Sequence, residues 1–141
     1  MSRVLTMVAV AAMAVVLVSC SGGNASTRIS VSMSDDMRYD PDRFDVTVGQ
    51  TVTFEVRNVG EVVHEFYIGT IDEHRDHAEE MRVDDHPDDA HADPAALSLE
   101  PGESGSVTYT FETAGEMLVG CHEPGHYEAG MVAPVTVHPR S

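Results

Sequence analysis

The chain has 141 residues, 24 of them acidic against eight basic, and its formal net charge is −16. That balance argues against nucleic-acid binding and against charge-driven docking on anionic lipid headgroups, and leaves neutral or basic surfaces as the contacts of any soluble partner. Lysine and tryptophan are absent and aromatics are only 6%, so one modest core must be built from Val, Leu, Ile, Met and a few Phe and Tyr.

Residues 1–19 read as an export signal. Arg3 supplies a positive start, Val4 to Val18 is almost wholly apolar, and small residues lead into Cys20. The run is too short for a stable membrane span. Leu17-Val18-Ser19-Cys20 resembles a bacterial lipoprotein processing box, which implies lipidation at Cys20 and a lipid-anchored place in the cell envelope, in the periplasm or on the outer face of the cell membrane. The plainer reading is an ordinary cleaved signal with a chance cysteine. Residues 20–28 are then the lipidated cysteine and a small, polar tether, and 29–141 form the folded domain. With Cys20 lipidated, Cys121 has no disulfide partner. A lone thiol in an oxidising compartment needs a reason, and metal coordination supplies one.

The domain reads as short strands. Phe44, Val46 and Val48 alternate with polar residues up to a turn at Gly49-Gln50, and Val52, Phe54 and Val56 alternate again up to Asn58-Val59-Gly60. Val62 to Ile68 is a third strand. After the turn Glu100-Pro101-Gly102-Glu103, Val107, Tyr109 and Phe111 alternate, and Met117 to Cys121 and Val132 to Val137 complete the set. Several short strands with Gly and Pro turns predict an all-β, Greek-key β-sandwich.

Asp72 to Asp93 breaks the pattern with ten Asp or Glu, four His and one Met. Asp72 to Arg82 suits a short polar helix and Val83 to Asp93 a loop. On a helix, His74, His77 and Met81 share a face. Together with His86 and His91 they make a candidate metal site, weaker than and additional to any built on the cysteine loop. The alternative is a solvated acidic excursion in which the histidines are incidental. The insert is remote in sequence from the cysteine loop, so its deletion is expected to leave a metal site there intact.

The cysteine loop runs Cys121-His122-Glu123-Pro124-Gly125-His126-Tyr127-Glu128-Ala129-Gly130-Met131. It places a thiol, an imidazole and a thioether at even spacing, and His64 offers a second imidazole upstream. Two His, one Cys and a weak axial Met are the ligand set of a type 1 copper site. Alone, His64 reads as a buried, hydrogen-bonded histidine, Met131 as core filler, and Cys-x4-His as a zinc pair. The four together, in this order, favour copper. Pro124-Gly125 is expected to turn His126 back towards the metal, and Gly130 to bend the chain before Met131. His122, adjacent to Cys121 on an extended backbone, is expected to point the other way and be exposed.

From about Met37 to Val137 the chain resembles a cupredoxin, the family of plastocyanin, azurin and rusticyanin. The resemblance rests on the strand pair around Val48-Gly49-Gln50-Thr51-Val52-Thr53-Phe54, on Asn58-Val59-Gly60 to His64, and on Cys-x4-His-x4-Met. His64-Glu65-Phe66, the insert and Cys121 to Tyr127 resemble exported bacterial cupredoxins associated with copper tolerance. The family implies seven or eight strands with copper at one end. Many members carry Asn or Ser after the first histidine ligand, bracing the cysteine loop. Glu65 stands there in this chain, which leaves the hydrogen bonding around the site, and with it potential and colour, open, a green or more tetragonal centre included. The expected function is a monomeric electron shuttle with one type 1 copper, exchanging single electrons with redox protein partners and having no catalytic residues. The alternative is a tolerance protein that sequesters copper or hands it to copper-handling partners.

Overall fold

The structure is a computed structural model that describes residues 27–82 and 93–141. The readings placed on residues 1–19, on Cys20 and the tether to residue 26, and on His86 and His91 lie outside the described residues. Among the described residues no helix is long and apolar enough to cross a membrane.

Nine strands and one helix follow in chain order: β1 (Thr27–Ser34), β2 (Arg38–Asp40), β3 (Phe44–Thr47), β4 (Thr51–Asn58), β5 (His64–Gly69), α1 (Ile71–Glu80), β6 (Ala96–Leu99), β7 (Ser104–Thr110), β8 (Gly115–Gly120) and β9 (Val132–His138). They form two sheets, ordered β2-β1-β4-β7 and β3-β9-β8-β5-β6. The all-β sandwich is as expected. Among the described residues it has nine strands where the resemblance implied seven or eight, and β2 and β6 are too short to show a period in sequence. β1 starts at Thr27, two residues before the expected start of the domain, and lies parallel to β4 from Thr27↔Val52 to Met33↔Asn58.

Alternation along β4 explains the layering. Val52, Phe54 and Val56 are buried, while Thr51 and Thr53 face out and hydrogen-bond Thr110 and Thr108 of β7 at 2.9 and 3.1 Å. Phe54 sits between the sheets, edge-on to Phe44 at 5.4 Å and tilted against Phe66 at 5.2 Å. β5 departs from alternation: all six of its residues are buried. One face looks into the core. The other lies under α1, against which Glu65 and Tyr67 pack.

The polar segment is helical for a local reason. Thr70 caps α1, its Oγ1 accepting from the Glu73 N–H while the Glu73 carboxylate accepts from the Thr70 N–H, a reciprocal capping box. Asp72 and Glu73 in the first turn complement the helix dipole.

Candidate metal centre

Sheet register sets the site at one end of the sandwich. β5 runs antiparallel to β8 with Tyr67 opposite Gly120, and β8 runs antiparallel to β9 with Gly120 opposite Val132. The start of β5, the end of β8 and the start of β9 therefore meet. His64 opens β5, Cys121 follows β8, and the loop from Cys121 to Met131 closes onto β9. Inside the loop the His126 N–H donates to Glu123 O, Met131 N–H to His126 O, and Cys121 N–H to Met131 O at 3.0, 3.0 and 3.2 Å. Gly125 and Gly130 adopt φ of 84° and 98°, the left-handed conformation that lets both bends form without a Cβ clash.

The donor atoms of His64, Cys121 and His126 all lie within 4.8 Å of one another. Cys121 Sγ is 3.3 Å from His126 Nδ1, and the two imidazole centroids are 5.0 Å apart. His64 is held from behind: its Nε2 meets the Asp35 carboxylate at 3.0 Å. That contact leaves the proton on Nε2 and the lone pair on Nδ1. Among the described residues, His64 Nδ1 is the single buried side-chain polar atom without a hydrogen-bond partner. An orphaned buried acceptor is costly. Facing a thiol and a second imidazole, it suits a metal ion, and the donor set selects a soft or borderline one. Met131 is fully buried in the same core cluster as Cys121.

Burial pushes the Cys121 thiol up to about 11, against the opposing pull of hydrogen bonds from the Glu65 and Glu123 backbones. Without metal the thiol is protonated, so loading must release a proton. Burial and then the neighbouring His64 lower the His126 imidazole, keeping it a neutral donor.

Residues 25–138 match the family described as copper binding proteins, plastocyanin/azurin family. The chain belongs to that family. Its fold is the cupredoxin fold, its cofactor is copper, and His64, Cys121 and His126 form the cluster suited to that ion. The chain is 44% identical over 113 residues to a copper-resistant cuproprotein CopI of Rubrivivax gelatinosus, covering 80% of this chain and 67% of that protein. It is 33% identical to the CopI of Pseudomonas aeruginosa, covering 82% and 78%. Among solved structures, a dithionite-reduced auracyanin of Roseiflexus castenholzii superposes with a TM-score of 0.69 at 31% identity, covering 82% of this chain and 99% of that one.

Around this cupredoxin centre lies a layer the sequence did not disclose. Glu65, 1% exposed, donates its N–H to Cys121 Sγ at 3.3 Å. Its Oε2 accepts the His122 N–H at 3.0 Å, and its Oε1 accepts from His77 Nε2 at 2.8 Å. A brace on the cysteine loop is therefore present at the position where many cupredoxins have Asn or Ser, made by a longer carboxylate that also reaches α1.

His122 is a correction. It was expected to be exposed, but it is partly buried, its ring stacked on Tyr127 at 4.8 Å and its Nε2 2.8 Å from His74 Nδ1. The side chain does point away from Cys121, yet α1 covers that side of the sheet. His74 Nε2 donates to Leu118 O at 3.1 Å, so Nδ1 accepts and His122 Nε2 carries the donated hydrogen. Burial lowers His74, and burial together with His74 and His77 pushes His122 down to about 4, against the pull of Glu65. His77 goes the other way: burial would lower it, but the Glu65 hydrogen bond and charge outweigh that and raise it.

The candidate second site is not assembled among the described residues. His74 turns to His122 and Leu118, His77 turns to Glu65 and stacks on Tyr67 at 4.0 Å, and among the described residues the only cluster of three or more His, Cys, Asp or Glu donors is the one around Cys121. Met81 lines a cleft of about 590 Å³ with His74, His122 and Tyr127.

Proposed function

We propose that this protein is an extracytoplasmic, mononuclear type 1 copper protein that shuttles single electrons between redox partners and makes or breaks no bonds itself. The reading is carried by the orphaned, buried His64 Nδ1, aimed at Cys121 and His126 from rigid strand ends. Copper held there supplies a one-electron couple. The chain's contribution is a donor set that needs little rearrangement between oxidation states: Asp35 fixes the His64 ring, Glu65 and the loop hydrogen bonds fix Cys121, and Met131, buried in the same cluster, would offer a weak thioether donor. Little rearrangement favours fast transfer. Export and a lipid anchor at Cys20 would place this monomer in the cell envelope, with redox proteins as partners.

A second reading is favoured by the copper-resistant cuproproteins to which the chain is similar: a tolerance protein that sequesters copper or hands it on, with redox activity secondary. Copper stoichiometry together with cyclic voltammetry separates the two. One copper with a reversible couple supports the shuttle. Several coppers without a reversible couple would replace it with the tolerance role.

A further inference from the structure

We propose that Glu65 and His77 together position the cysteine loop, making α1 part of the support of the copper centre rather than an independent insert. The inference rests on the copper reading of the Cys121 loop. Glu65 acts on that loop at two points. Its N–H donates to Cys121 Sγ, and its Oε2 holds the N–H of His122, the peptide immediately after the cysteine. Fixing that peptide plane fixes the direction from which Cys121 presents its sulfur. A five-atom side chain free to rotate would make a poor brace. Here the second oxygen is anchored by His77 Nε2 at 2.8 Å, on the second turn of a helix capped at Thr70. His77 in turn is stacked on Tyr67 at 4.0 Å and 7°, and Tyr67 follows Glu65 by two residues on the same face of β5. Glu65 is thus locked from both oxygens and from its backbone, with 2% of its side chain exposed. Removing one anchor leaves a buried carboxylate half satisfied, and it will reorient. Outer partners of metal ligands act in this way on affinity and on electronic structure.

Two substitutions at His77 separate packing from the hydrogen bond. His77→Phe keeps the stack on Tyr67 and removes the donor, whereas His77→Gln keeps a donor and removes the stack. We expect copper-loaded His77→Phe to change the ratio of its thiolate-to-copper absorption bands and to release copper to a chelator about tenfold faster, the usual scale for such partners. His77→Gln should stay near the parent on both measures. Glu65→Ala should move both in the same direction as His77→Phe, and adding His77→Phe to it should add little, because the two act as a unit. Circular dichroism of the metal-free variants checks that the sandwich is retained, and His77→Phe decides the matter if Glu65→Ala does not fold. An unchanged spectrum and release rate in folded His77→Phe would overturn the inference and leave the copper site standing. A parent protein with no thiolate-to-copper band would instead overturn the copper reading, and this inference with it.

Discussion

At the scale of single residues, the centre divides into donors that the sequence announces and holders that it does not. Cys121 is the sole thiolate donor, so Cys121→Ser should abolish the strong visible absorption of the oxidised protein and leave at most a weakly coloured, tetragonal site. An intensely coloured Cys121→Ser would identify the wrong ligand. Met131→Leu removes a soft donor but adds apolar bulk beside a buried site. The colour should survive and the potential rise modestly, as voltammetry would show, and loss of copper would mark Met131 as a strong equatorial ligand instead. Asp35 belongs to the holders. Nothing in the sequence points to it, because it lies 29 residues before His64 in the turn after β1, and only the fold brings them together. Asp35→Ala frees His64 Nε2 and should weaken copper binding about 10- to 100-fold in a chelator competition. Its backbone partner Glu61 and then His64 hold the Asp35 carboxyl below its usual range, consistent with an ionised acceptor at neutral pH.

Among the elements, α1 matters most and was half legible. The polar stretch Asp72 to Arg82 marked a helix in the right place, one residue late at its start and two at its end. What the sequence could not show is that this helix lies on β5, which is why β5 is buried on both faces and why His122 is not exposed. Alternation revealed β3, β4 and β7 because each has one face on the core and one in water. β1 alternates as clearly through Ile29, Val31 and Met33, but its first residues abut the polar tether and were counted with it. The helix also sets an acid sensitivity. In the folded, metal-free protein His74 and His126 are depressed, and His122 is pushed to about 4. The unfolded chain therefore takes up protons that the folded chain refuses as pH falls below the ordinary histidine value of about 6.5. The stability from these groups is fully present above about pH 6.5 and is lost as pH falls through their folded values, which for His122 lies at about 4. His77, raised by Glu65, opposes this: its contribution is complete below about pH 6.5 and is lost as pH rises through its folded value. Three depressed imidazoles against one raised give a net loss on acidification. The urea midpoint of the metal-free protein should fall between pH 7 and pH 5, and His122→Asn should flatten that fall. A midpoint that rises on acidification would contradict this balance.

For the whole molecule, all four expected ligands come from the five-stranded sheet or its β8–β9 loop, while Asp35 reaches them from the turn after β1 in the other sheet. The Asp35–His64 contact thus ties the two layers together at the site, beside the Tyr39–Glu65 and Asn58–Leu99 hydrogen bonds that also cross between the sheets. Copper should raise the thermal midpoint by mass action, more so the tighter it binds. The same view predicts stoichiometry. A second ion held by α1 would have to displace the His74–His122 and His77–Glu65 hydrogen bonds, and the latter supports the first copper. Those contacts set a higher threshold than at the Cys121 cluster, where His64 Nδ1 is unpartnered and only the 3.3 Å Cys121–His126 contact is given up. Elemental analysis after dialysis against a moderate chelator should therefore find one copper per chain, retained when His86 and His91 are both changed to Ala. Any further copper should bind more weakly and leave first. Two coppers of equal tenacity, one of them lost with His86 and His91, would place a strong second site in the insert and shift the balance from shuttle to store.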